Sequence, residues 1–285
     1  KTLYFEHLQT IIISEEAVRL AGLSPIIDFF RRDPEMRWRV SVYLTPGSAA
    51  KILEFNPPTG EPGGVYLHSI ARNQRRSGHI GTLRNDLGFI SQAMDNKDDV
   101  RIPAIVQAED TVKLTGLALF KQTTFAGYVD EHVVQGLRII DGSLRSAVIA
   151  APCPEHPDNV LVFELYRHKT KLRPHVDGDN IYFTLDINMR GNLGEASCSF
   201  QHKTFEAEYV ARAETIFAQE IKKMASAAFS ACQQLGVDAV RFGKKLRAYE
   251  PETWNKVKDN WREIYLTIPM QVSANVTISN MGSHQ

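Results

Sequence analysis

In "RWRVSVYLT", Trp38, Val40, Val42 and Leu44 alternate with Arg37, Arg39, Ser41 and Tyr43. That two-residue period predicts a strand with one buried face. An earlier strand is expected over Tyr4–Ile13, with Leu8, Thr10 and Ile12 on one side. Between them, Ser14 before "EEAVRLAG" supplies an N-cap, two first-turn acids and a glycine stop at Gly22. Ser24 with Pro25 behind it predicts the start of a second helix, "SPIIDFFRRDP". Residues 47–55 read as a further short helix, and "RIPAIVQAE" as a strand. "KLTGLALFKQTTFAGYVD" predicts a hairpin, with a short helix behind it in "DEHVVQGLRIIDG".

Two long alternating runs, "NVLVFELYRHKTKLRPHV" and "NIYFTLDINMRG", flank a "DGDN" turn and predict a second hairpin. The period then changes. Val210, Ala213, Phe217, Ile221, Met224, Ala228, Cys232 and Leu235 advance by threes and fours, predicting a helix over 205–235 that ends at Gly236. Such a helix is roughly 45 Å long at 1.5 Å per residue. "PETWNKVKDNW" predicts a short helix carrying Trp254 and Trp261 on one face, since seven residues are nearly two turns. "QVSANVTIS" closes the chain as a strand with Val272, Ala274, Val276 and Ile278 on its dry side.

The order of these elements predicts an α+β fold. Residues 1–56 read as part of a mixed α/β domain, and "FNPPTGEPGG" marks a boundary at 56–64. Residues 57–112, with the polar interval "ARNQRRSGH", read as a mostly helical sub-domain. Residues 113–285 read as a C-terminal domain, an antiparallel sheet packed against one long helix.

Composition narrows the function more than the fold. Lys+Arg and Asp+Glu both number 33 in 285 residues, so the chain lacks the basic excess expected of a nucleic-acid binder. Cys153, Cys198 and Cys232 have no metal-like spacing and read as partly buried thiols, not as a disulfide framework. No apolar run reaches the roughly 18 residues of a membrane span. The opening "KTLYFEHLQTIIIS" reads as structured chain already under way, so upstream residues are expected to be missing.

Candidate chemistry is sparse. The sequence contains no GxSxG, HExxH, P-loop or strand-following GxGxxG. Cys198 in "GEASCSF" has no base placed by any signature. Asp130, Glu131 and His132 point about 100° apart on a helix, so the two acids read as an N-cap and a first-turn residue. In "RHKTKLRPH" a strand would put Arg167, Lys169, Lys171 and Arg173 on one face and His168 and Thr170 on the other. That face suits lipid headgroups or an acidic partner; the plainer reading is a solvated surface.

Three stretches together resemble the Ger(x)C family of spore germination proteins, the C subunits of nutrient germinant receptors. They are "LYFEHLQTIIISEEAVRLAGLSPIIDFFRRDPEMRWRVSVYLTPGSAAKIL", "LTGLALFKQTTFAGYVDEHVVQGLRIIDG" and "LGVDAVRFGKKLRAYEPETWNKVKDNWREIYLTIPMQVSANVTISNMG". In the last, Asp238, Phe242, Gly243, Pro251, Trp254, Trp261 and Gly282 fall where the family pattern places them. The resemblance implies a lipoprotein tethered by an N-terminal lipid-modified cysteine on the outer face of the inner spore membrane. It implies two integral-membrane subunits as partners, a non-enzymatic scaffolding role, and neither catalytic residues nor a cofactor. None of the three cysteines is near residue 1, so the anchor segment is expected to lie outside this chain. Direct capture of a nutrient by a solute-binding cleft is the alternative, and hydrolysis ranks last. The tryptophan pair is expected to seal the C-terminal domain.

Overall fold

A computed structural model describes residues 6–57, 60–69, 84–108, 111–154, 158–194 and 207–281. The architecture is α+β, and the chain divides into two compact units. Unit 1 takes Lys1–Arg76, Ile80–Val134 and Ala231–Arg241; unit 2 takes Ser77–His79, Gln135–Ser230 and Phe242–Gln285.

Unit 1 is built on a five-stranded sheet in chain order, β1 (Thr10–Ser14), β2 (Ser41–Thr45), β3 (Val100–Ala108), β4 (Thr111–Lys121) and β5 (Thr124–Asp130). The first three are parallel; β4 and β5 add antiparallel. Helices α1 (Glu15–Ala21), α2 (Leu23–Arg31), α3 (Ala49–Glu54) and α4 (Leu87–Asp95) belong to the same unit. Leu44 and Val42 of β2 join one core with Val18, Ile27 and Ile90, while Tyr43 enters a second core with Ile52, Leu67 and Ile105. Both faces are therefore covered and all five residues of β2 are buried. This corrects the expected half-buried strand: a parallel central strand is apolar on both sides. Trp38, expected on its dry face, lies before the strand and is 54% exposed.

Two helix starts divide. The hydroxyl of Ser14 accepts from the Ala17 amide, as expected of an N-cap. α2 begins earlier than Ser24, at Leu23, whose amide donates to the Thr123 carbonyl, and Gly22 takes the cap position with φ 77°. Residues 57–112 hold a helical segment at 63–69, then α4 and the central strand β3. The hairpin β4–β5 completes the sheet of unit 1. The interval 70–83 lies outside the described residues.

Unit 2 contains a four-stranded sheet, β6 (Ala147–Pro152), β7 (Val160–Asp177), β8 (Asn180–Leu193) and β9 (Met270–Met281). β6, β7 and β8 are antiparallel; β9 returns after the helices and pairs parallel to β8. Helix α5 (Glu131–Asp141) leads into this unit, and α6 (Ala207–Leu235) runs 29 residues. Its buried stripe is Tyr209, Ala213, Phe217, Ile221, Ala225, Ala228 and Cys232, so the expected face holds, with Tyr209 and Ala225 replacing Val210 and Met224. Phe217 meets Phe163 of β7 at 5.3 Å between ring centroids. A Cβ at Gly136 would fall 2.4 Å from the Met224 carbonyl oxygen, so this glycine permits α5 and α6 to touch backbone to backbone.

The tryptophan segment folds as two helices, α8 (Pro251–Val257) and α9 (Trp261–Thr267), behind α7 (Phe242–Tyr249). Asn260, with φ −108° and ψ 11°, interrupts the single helix that the spacing predicts. In a continuous helix the two residues would be about 10.5 Å apart along the axis. The break brings their indoles to 5.5 Å in an edge-on pair. Trp261 also meets Tyr265 at 6.2 Å, and Tyr265 leads to Phe229 and Phe242.

His168 lies on the inner face of β7. The Thr170 hydroxyl donates to the Ile139 carbonyl at 3.0 Å, so the Thr170 oxygen accepts from His168 Nε2. Burial lowers the His168 pKa; the Leu144 carbonyl and Asp141 oppose this, while Arg138 and Arg145 reinforce it. The folded state thus favours the neutral ring. That contribution is complete above the unfolded value near 6.5 and is lost as pH falls below it. We expect the melting temperature to drop as pH falls below about 6.5, and His168→Gln to flatten that drop in parallel thermal melts. Trp261→Ala is expected to cost about 3–5 kcal/mol by urea denaturation. The half-buried Trp254→Ala should cost less, and the double variant less than the sum because the rings touch.

Candidate functional site

Of the signature residues, the fold brings Phe242, Gly243, Trp254 and Trp261 together, and Gly282 lies outside the described residues. Phe242 and Gly243 open α7, and a Cβ at Gly243 would lie 2.7 Å from Trp261 Nε1 and 3.2 Å from Trp254 Cη2. Only a glycine lets both indoles close over the helix start. Phe242 fills the space beneath, against Phe183 of β8 at 4.9 Å and Phe229 at 4.8 Å. Asp238 stands apart, in unit 1. Its amide donates to Asp99 Oδ2 at 2.7 Å, while Asp99 Oδ1 accepts from the Gln122 amide. Arg101 donates to the Ala239 carbonyl at 2.9 Å, and Arg241 lies over the Phe89 ring. This cluster ties residues 231–241 into unit 1. The signature is thus a set of packing positions.

The remaining candidates separate by environment. Asp130 Oδ1 accepts from the Val133 amide at 2.9 Å, the N-cap role expected of it. Among the described residues, no three His, Cys, Asp or Glu side chains come together as metal ligands. The expectation of three thiols is corrected: Cys153 is disulfide-bonded, a link that spacing alone does not reveal. Cys232 is a free, buried thiol, and burial, with Asp238 and Asp99, pushes it up to about 12. It stays protonated and unreactive. Cys198 lies outside the described residues.

The described residues of unit 1 line open grooves. One, of about 490 Å³, runs along Thr45, Pro46, Gly47, Ser48, Lys51 and Gln107. Another, about 370 Å³, is lined by Pro46, Ala104, Thr115, Tyr128, Val129 and Asp130. Burial, then Glu15, raises the Tyr128 pKa, so it remains a neutral phenol. Among the described residues the strands follow in chain order, with no reversal of strand order of the kind that opens a ligand crevice at a carboxyl edge.

The most distinctive surface is the outer face of the sheet in unit 2. Along β7, Arg167, Lys169, Lys171 and Arg173 are exposed while Leu165 and Leu172 are buried. Opposite them on β8 stand Arg190, Asn188, Asp186 and Thr184. On β9 these pair with Thr277, Asn275, Ser273 and Gln271. The basic run thus forms one face as the alternation predicts, and Arg190, Asn188, Asn275 and Thr277 are additions that local reading misses. Their signal was present: Asp186, Asn188 and Arg190 alternate with Leu185, Ile187 and Met189 in "LDINMR". Among the described residues no helix is long and apolar enough to cross a membrane.

Comparison with known proteins fits this architecture. Residues 1–107 match the family model described as the spore germination protein N-terminal domain, and residues 115–282 the one described as spore germination B3/GerAC like, C-terminal. The chain is 24% identical to spore germination protein YndF of Bacillus subtilis (strain 168), over 99% of this chain and 70% of that protein. It is also 24% identical to spore germination protein B3 of the same organism, over 98% and 75%. The crystal structure of the GerBC protein superposes with a TM-score of 0.79 at 20% identity, covering 98% of this chain and 81% of that one, which shows a shared fold. Two family models in order along nearly the full length leave one conclusion: the chain belongs to the Ger(x)C family of spore germination proteins.

Proposed function

We propose that this protein is a non-enzymatic subunit of a nutrient germinant receptor, tethered by an N-terminal lipid anchor to the outer face of the inner spore membrane. It works beside two integral-membrane subunits, as a scaffold through which they respond to a nutrient. The observation that carries this reading is the family match over both halves of the chain. The broad polar outer face of β7, β8 and β9 supports it, since it offers a docking area more than a cleft. The residues 242, 243, 254 and 261 act as the seal that keeps this unit rigid.

Direct capture of a small nutrient is the second reading, carried by the groove beside Ser48 and Lys51. Deletion of the gene in its spore-former should abolish the response to one nutrient and leave dormancy intact; spores that respond unchanged would contradict the receptor role. Calorimetry of the purified chain against amino acids, sugars and nucleosides distinguishes the two readings. The scaffold reading expects no heat beyond dilution, and saturable heat that is lost in Lys51→Ala favours capture.

A further inference from the structure

β7 and β8 carry a contradiction in charge. Arg167 and Arg190 are direct cross-strand partners. Like charges directly opposite one another destabilise a sheet. Lys169, paired with Asn188, adds a third cation beside them. Around these side chains is a hollow of about 210 Å³ whose lining also includes Asn188, Asn275 and Thr277. No carboxylate among the described residues pairs with Arg167, Lys169 or Arg190. On the same face, Asp186 stands opposite Lys171 and accepts from the Ser273 hydroxyl at 2.7 Å. The chain as a whole is neutral, so this excess is local.

The backbone is arranged to produce it. Pairing slips by one residue between Leu165 and Arg167, leaving Tyr166 as the extra residue of a β-bulge. Before the bulge, Phe163 and Leu165 point inward and Glu164 outward. The outward side of Arg167 continues the alternation of Lys169 and Lys171 from the turn, and the bulge lets Phe163 and Leu165 stay inward on the far side of it. The Tyr166 hydroxyl donates to Ser279 Oγ at 2.8 Å and fixes the distortion against β9.

We propose that this hollow is a binding site for a phosphate group, whose negative charge offsets the opposed arginines. Two guanidinium forks provide the geometry that phosphate oxygens accept bidentately, and Lys169 adds a point charge. The amides of Asn188 and Asn275 and the hydroxyl of Thr277 are neutral donors around the same space. The phosphate is either that of an anionic lipid headgroup or a free phosphate ion. The site stands on the geometry of unit 2 alone and does not depend on the receptor reading.

The test uses the full chain and the variant Arg167→Gln/Arg190→Gln. In phosphate-free, low-salt buffer the variant should melt about 1–3 °C above wild type, because a like-charge pair is removed. Inorganic phosphate should raise the wild-type melting temperature more than that of the variant, the variant correcting for general salt stabilisation. Cosedimentation with phosphatidylglycerol vesicles and not phosphatidylcholine vesicles, lost in the variant, identifies the headgroup as the source. A phosphate-specific shift without vesicle binding identifies the free ion. Equal responses of both proteins to phosphate and to vesicles overturn the proposal. So does binding to polyglutamate with no response to either phosphate source, which would make the face a dock for an acidic protein segment.

Discussion

The register of β7 on β8 is the constraint from which the rest of unit 2 follows. The two-residue connection at Gly178 and Asp179 sets Asp177 opposite Asn180, and each step back from the turn fixes one further pair. Because side chains alternate, this register decides every residue's face at once. Leu172, Phe183, Leu185 and Ile187 become the floor on which the helices pack, and Lys171 and Arg173 become surface. β9 joins along β8, where its valines meet the same dry side and its serine, asparagine and threonine the wet one.

The dry side explains why the closing signature consists of the residues it does. Phe242 reaches Phe183 because α7 packs on the sheet, and Gly243 leaves room for two indoles over that helix start. The break at Asn260 folds the segment back so that Trp261 is buried and meets Trp254. These are demands of packing. Asp238 serves a separate closure, holding residues 231–241 to Asp99 in unit 1.

Much of this was legible in the sequence because it rests on local period. The long helix, both hairpins, the final strand and the cap at Ser14 follow from spacing that neighbouring residues share. What escaped depends on partners distant in sequence. The alternation of β2 predicts a half-buried strand because it does not show that Tyr43 has a core of its own with Ile52 of α3. The spacing of the tryptophans fits a continuous helix since seven residues are nearly two turns, and the break at Asn260 appears only in the folded chain. The disulfide at Cys153 carries no spacing signal. The pairing of Arg167 with Arg190 is an intermediate case: ten residues back on either side of the turn place them opposite one another, but the bulge at Tyr166 appears only in the folded sheet.

The proposed working surface of this protein is the outer face of unit 2, with the opposed arginines at its focus. Side-chain NMR of the arginine Nε–Hε groups during titration with inorganic phosphate tests it most directly. Arg167 and Arg190 are expected to shift together and saturate, accompanied by the amides of Lys169, Asn188 and Asn275, while Lys51 and its groove stay still. Small, unsaturated shifts spread over all exposed arginines, or saturation confined to the groove in unit 1, would contradict it.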